Sequence, residues 1–147
     1  MLITDALQKE CIVFLHSVSQ DEVLHELIEI LESTGKIRDR KTFTQAIFAR
    51  EKLVSTAIGL GVAIPHAKLE GYENFFMALG IQKTTGIPWK ALDNQPVRFV
   101  FLIGGPEGKQ TEYLSLLSQI TACMKDETRK KKLLHTYSTS EILQLLS

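Results

Sequence analysis

Apolar and polar positions follow two rhythms along this chain. Ile12-Val13-Phe14-Leu15 is a short unbroken apolar run and predicts a first strand. The stretch Ser19 to Ile37 changes to a helical rhythm, with Val23, Leu24, Leu27, Ile30 and Leu31 spaced to share one face. Ser19 and Glu22 form a Ser-x-x-Glu capping box at its start, and Gly35 stands where a helix stop belongs. Phe43, Ala46, Ile47 and Arg50, three or four apart, predict a second helix over about Thr42–Lys52. Three strands are expected next. Val62-Ala63-Ile64 is ended by Pro65, Phe75 to Ile81 forms another, and Val97 to Ile103, the most apolar run, is ended by Gly104-Gly105-Pro106. The last third is helical. Tyr113, Leu114, Leu116, Leu117, Ile120 and Met124 form an apolar stripe, a short segment covers Glu127 to Leu134, and Ser138 with Glu141 caps a final helix. This mixing of helices and strands predicts an α/β fold, a mixed β-sheet flanked by helices, in one domain over residues 1–147.

Composition narrows the function classes. The 17 basic and 17 acidic residues cancel, which argues against a broad electrostatic grip on nucleic acid or anionic lipid. The run Arg129-Lys130-Lys131-Lys132 reads as a solvated helix face, with contact to an acidic partner as the alternative. Cys11 and Cys123 belong to no CxxC or zinc spacing and are expected to be buried or half-buried thiols in a reducing compartment. No apolar run approaches the roughly 20 residues of a membrane span. The start MLITDALQKE lacks a basic segment followed by an apolar one. A cytoplasmic location is therefore expected.

Of the four histidines, His16, His25 and His135 have ordinary surroundings. His66 differs: it follows Gly59-Leu60-Gly61, a strand and Pro65. The proline fixes its own φ and keeps Ile64 extended, so the imidazole is delivered at a strand end with little local freedom. Other chemistries fail on their spacing. GGPEGKQ lacks the first glycine and the hydroxyl of a nucleotide-binding P-loop, and no Gly-x-Ser-x-Gly elbow is present. His66 and Glu70 are spaced i,i+4 but no His-Glu-x-x-His accompanies them, so no metal is expected.

The residues around His66 carry a resemblance. Arg50-Glu51, Ser55-Thr56 and Gly59 to His66 match, without gaps over 17 residues, the active-site segment of the fructose–mannitol type EIIA family of the bacterial phosphotransferase system. Gly86-Ile87-Pro88-Trp89, Gln95-Pro96-Val97 and Leu114 to Leu117 resemble its later blocks. The resemblance implies a phosphocarrier. Its histidine takes a phosphoryl group from phospho-HPr and passes it to an EIIB component, which acts with a membrane EIIC to phosphorylate a sugar. A related branch uses the same histidine as a regulatory switch. No cofactor is implied. Arg50 would stabilise phosphoryl charge through its guanidinium fork, or stand as a surface arginine. Ser55 and Thr56 would offer hydroxyl donors, or form a turn or cap pair. The glycines would expose backbone N–H groups, or serve the turn alone. Many members have a second histidine in a Glu-His-Leu-like stretch; Glu112-Tyr113-Leu114 puts tyrosine there, either lining the site or in the core. A tyrosine can hydrogen-bond a phosphoryl oxygen but cannot carry positive charge.

Overall fold

In the computed structural model, which describes residues 1–147, twelve elements follow one another. They are α1 (Ile3–Ala6), β1 (Leu7–Phe14), α2 (Gln20–Ser33), α3 (Arg40–Leu53), β2 (Ala57–Gly59), β3 (Val62–Ala63), β4 (His66–Lys68), β5 (Phe76–Ile81), β6 (Phe99–Gly105), α4 (Gln110–Lys125), α5 (Glu127–His135) and α6 (Thr139–Leu146). The expected mixed sheet with flanking helices is present. Its strand order is β1-β5-β6-β3-β2, with β4 also on β6. β5 and β6 are antiparallel, while β1 on β5 and both β3 and β4 on β6 are parallel.

The helix ends obey the capping chemistry of the sequence. Ser19 Oγ accepts from Glu22 N at 3.4 Å, and Ser138 Oγ accepts from Glu141 N at 3.2 Å. Past α2, Gly35 takes φ +77°, a left-handed conformation that suits glycine at a helix end. The α2 face turned inward carries Val23, Leu24, Leu27, Ile28 and Leu31; Ile30, expected there, is only half-buried. Helix α3 starts two residues earlier than expected because Asp39 caps it, accepting from Thr42 N at 3.1 Å.

Three strand expectations are corrected. β1 begins at Leu7, before the apolar run, and its polar start Gln8-Lys9-Glu10 lies exposed at the sheet edge. Val97 is not part of β6; it pairs with Ile87 in an isolated bridge. Gly104 and Gly105 do not end β6 but complete it. Their lack of side chains is a packing requirement. A Cβ on Gly104 would press into Phe76 and, at 2.6 Å, Phe43; one on Gly105 would press into Phe75. Because neighbouring strand residues face opposite sides, these glycines mark the two faces of the sheet. Phe43 of α3 covers one face. Phe75, whose ring lies 5.9 Å from that of Tyr113 on α4, covers the other.

β3 ends before Pro65, as expected, and a separate strand, β4, follows it along the same edge of β6. β3 pairs with Phe99-Val100 of β6, and β4 resumes against Ile103 to Gly105. Pro65 has no N–H to give the ladder, yet its carbonyl accepts from Ile103 N at 2.9 Å and holds the two halves in line. A contiguous cluster of 40 buried apolar residues joins both faces, so all the elements share one core. Both cysteines are buried and unpaired with each other. No helix is long and apolar enough to cross a membrane.

Candidate functional site

His66 opens β4 opposite Ile103. Side chains two apart on a strand share a face, so His66 and Lys68 both turn toward α4. The imidazole ring lies 5.3 Å from the ring of Tyr113, at 50°. His66 Nδ1 is 2.9 Å from the carbonyl oxygen of Ile64. A carbonyl oxygen only accepts, so Nδ1 carries the proton and the lone pair of the neutral ring sits on Nε2. Nε2 has no hydrogen-bond partner and is not sealed from solvent. It is thus the ring atom open to an electrophile.

Two concavities meet at this ring. One, of about 490 Å³, is lined by Arg50, His66, Lys68, Glu107 and Gly108 among others. The other, of about 390 Å³, is lined by Arg50, Ile58, His66, Tyr113 and Leu117 among others. Arg50 and His66 line both. Arg50 Nη1 donates to the carbonyl of Val54 at 2.8 Å, just past the end of α3. A guanidinium has five N–H donors, so that bond anchors the side chain and leaves most of the fork available.

Ser55 and Thr56 are placed differently. The Ser55 hydroxyl donates to the carbonyl of Lys90 and accepts from Ala57 N at 3.2 Å, locking the turn into β2. The Thr56 hydroxyl donates to Glu51 Oε1, and its backbone N–H donates to Glu51 Oε2 at 2.9 Å. Trp89 Nε1 donates to the same carboxylate at 3.1 Å. Both residues border the second concavity, but their hydroxyl protons are committed to protein acceptors. Glu51, which sequence reasoning passed over, is the hub that ties the end of α3 to β2 and to the loop carrying Trp89. Its signal was the Arg-Glu pair itself, but its partner Trp89 lies 38 positions away.

The glycine pair is turn machinery. Gly59, Leu60 and Gly61 all have positive φ, at +82°, +62° and +74°, and form the β2–β3 turn. Gly61 sits beside Arg98 and Phe99, four residues down β6 from the Ile103 level of His66. At about 3.3 Å per residue that is roughly 13 Å away, so the amides of these glycines are not directed at the imidazole. Phe75 and Phe76 are core residues. The apolar surface near the site comes instead from Ile58 and the half-buried Leu117, with exposed Leu114 beside Tyr113.

Electrostatics favour a neutral imidazole. Burial pushes the His66 pKa below its usual 6.5, and the nearby charges of Arg50 and Lys68 push it the same way; the Ile64 carbonyl and Glu51 oppose them. Tyr113, only 5% exposed, is driven up to about 12 by burial, so its hydroxyl is neutral. The nucleophilic form of His66 should persist below pH 6.5. An NMR titration of the His66 ring is expected to give a midpoint below that value; a midpoint at or above 6.5 contradicts the assigned environment. The linkage has a definite sign. Above about pH 6.5 the ring is neutral folded or unfolded and adds no pH dependence. As pH falls through 6.5 the unfolded chain protonates first, so stability drops until the lower native value is passed.

No three His, Cys, Asp or Glu side chains converge as a metal site would require. What the arrangement can do is present one nucleophilic nitrogen to an anionic electrophile, between two cations and in an open depression.

Known proteins share both this sequence and this shape. The chain is 35% identical, over all its length, to a PTS system fructose-specific EIIABC component of Bacillus subtilis, of which it spans only 23%. It is 36% identical over its whole length to a nitrogen regulatory protein of Bradyrhizobium diazoefficiens, of which it covers 95%. The crystal structure of nitrogen regulatory protein IIA-Ntr from Neisseria meningitidis superposes with a TM-score of 0.88, at 27% identity and 97% coverage of both chains. A family model described as phosphoenolpyruvate-dependent sugar phosphotransferase system, EIIA 2, matches residues 5–147. The family expected from the His66 segment is therefore the one found, and this chain belongs to the EIIA 2 family of the phosphoenolpyruvate-dependent sugar phosphotransferase system.

Proposed function

We propose that residues 1–147 act as one cytoplasmic phosphocarrier domain, with His66 as the phosphorylated residue. Phospho-HPr is the donor, and an EIIB component, working with a membrane EIIC, is the acceptor. The observation that carries this reading is the open Nε2 lone pair of His66, fixed by the Nδ1–Ile64 hydrogen bond and flanked by Arg50.

The step follows from that geometry. Nε2 attacks the phosphorus of the donor's phosphohistidine. A new N–P bond forms as the donor's N–P bond breaks, and the donor imidazole leaves with the electron pair. The positive charge that develops on the His66 ring is stabilised by the Ile64 carbonyl through the Nδ1 proton. The phosphoryl oxygens meet the guanidinium of Arg50. Transfer onward to the acceptor is the same step reversed with a different partner, which suits a site that holds and positions rather than transforms.

Incubation with phosphoenolpyruvate, enzyme I and HPr tests the reading: acid-labile phosphate is expected on the protein at a stoichiometry near one. Absence of label excludes it. Arg50→Ala is expected to slow this labelling about 10- to 100-fold, the loss of one charge-assisted interaction. Arg50→Lys keeps the charge without the fork and should recover only part of the rate.

A second reading has its own support. Nitrogen regulatory proteins are among the relatives matched along nearly their whole length. On that reading phosphorylation of His66 is a switch that changes which protein binds this face. Labelling occurs in either case; passage of the label to an EIIB component marks the transport carrier, and its retention marks the switch.

A further inference from the structure

Lys68 stands two residues beyond His66 on β4, on the same face of the sheet. Its ammonium lies 4.3 Å from the centroid of the Tyr113 ring, the same ring that the His66 imidazole approaches to 5.3 Å. It lines the same concavity as His66 and Arg50. No carboxylate neutralises it: its one hydrogen bond goes to the neutral Gln110 Oε1, at 2.8 Å, at the first turn of α4. Arg50 is likewise without a carboxylate partner, being bonded to the Val54 carbonyl. The ion pairs of this protein all lie elsewhere. Glu107 also borders the concavity but pairs with neither cation.

Two uncompensated cations thus bracket one imidazole, in a chain whose formal net charge is zero. A phosphoryl group on His66 brings a charge of about −2. One guanidinium balances half of it. Tyr113 cannot balance the rest, since its neutral hydroxyl carries no charge. A cation over an aromatic face is held by attraction to the ring, and the lysine stem is flexible enough to leave it for a stronger anionic partner.

We propose that Lys68 is a second phosphoryl-binding residue, seated on the Tyr113 ring in the free protein and released onto the phosphoryl oxygens when His66 is phosphorylated. Tyr113 thereby supplies the missing positive charge indirectly, by presenting a lysine. Lys68 gives and takes no proton: the N–P bond forms at Nε2 while Lys68 neutralises charge on the equatorial oxygens. This rests on His66 being the phosphorylated residue.

The test uses the full chain and phosphoramidate, a small donor that needs no docking surface. Lys68→Met keeps the stem and removes the charge. It is expected to slow phosphorylation of His66 about tenfold, for one charge-assisted contact, and to raise the His66 titration midpoint. Lys68→Arg should restore most of the rate. Adding Tyr113→His to the Lys68→Met chain should restore part of it. Parental rates in Lys68→Met, or a loss that Lys68→Arg does not recover, overturn the assignment. If the variant slows phospho-HPr but not phosphoramidate, Lys68 serves donor docking and the assignment is likewise overturned. Failure of phospho-HPr to label the parent, with phosphoramidate labelling His66 normally, counts against the carrier reading alone.

Discussion

His66→Ala is expected to take up no label from phosphoenolpyruvate, enzyme I and HPr, at any time or donor concentration, while keeping its fold. The expectation is absolute because no other group has the same combination. His16 and His135 are exposed, away from the paired concavities, and His25 packs its ring against Phe48 on the surface of α2. Loss of the imidazole leaves the Ile64 carbonyl without its side-chain partner. That costs about 1 kcal/mol of stability, the usual net value of one hydrogen bond. Circular dichroism should therefore match the parent and the melting temperature should move by only about 3 °C. Label that survives the substitution would place the phosphoryl group on another residue. His66→Gln separates the chemistry from the hydrogen bond: it should also take no label, and its amide can still donate to a carbonyl.

The second large effect is expected far from any charge. Gly105→Val should destabilise the protein by about 3 kcal/mol, in the upper part of the usual range for overpacking. Its melting point should fall by about 10 °C. A side chain at this position runs into the buried ring of Phe75, which is pinned between the sheet and Tyr113. Gly105 also pairs with Lys68 in the ladder, and its carbonyl accepts from Leu69 N at 2.9 Å. Any shift that relieves the clash thus moves β4, and with it His66 and Lys68. Slower phosphorylation should accompany the loss of stability. Adding Phe75→Leu should return part of both, since it removes ring atoms where the new methyls go; no recovery of either would mean that the clash lies elsewhere.

The sequence announced what is local. Ser19, Ser138 and Gly35 identify helix ends because a cap is made within three or four residues. His66 was legible because Pro65 and the preceding strand act on neighbouring backbone. The parts that escaped are those decided by distant partners. Gly104 and Gly105 look like a strand terminus, and only the rings of Phe43, Phe75 and Phe76 arriving from other elements show why a strand needs them bare. Gly59 and Gly61 look like a phosphate cradle, since glycine beside a functional histidine suits both a turn and an anion; the register of β3 on β6 decides for the turn. Ser55 and Thr56 look like site donors until Lys90 and Glu51 take their protons. Lys68 was within reach of a period-two reading from His66, once β4 is recognised beyond the proline.

Trp89 gives the Glu51 hub an optical consequence. It is the one tryptophan of the chain, 7% exposed, with its indole N–H bonded to the carboxylate that also holds Thr56. The tryptophan fluorescence of this protein therefore comes from a single buried chromophore wired to the wall of the His66 depression. Occupation of that depression, by a phosphoryl group or by a partner's surface, is expected to shift the colour of that emission in the unlabelled native chain, which a fluorescence titration checks.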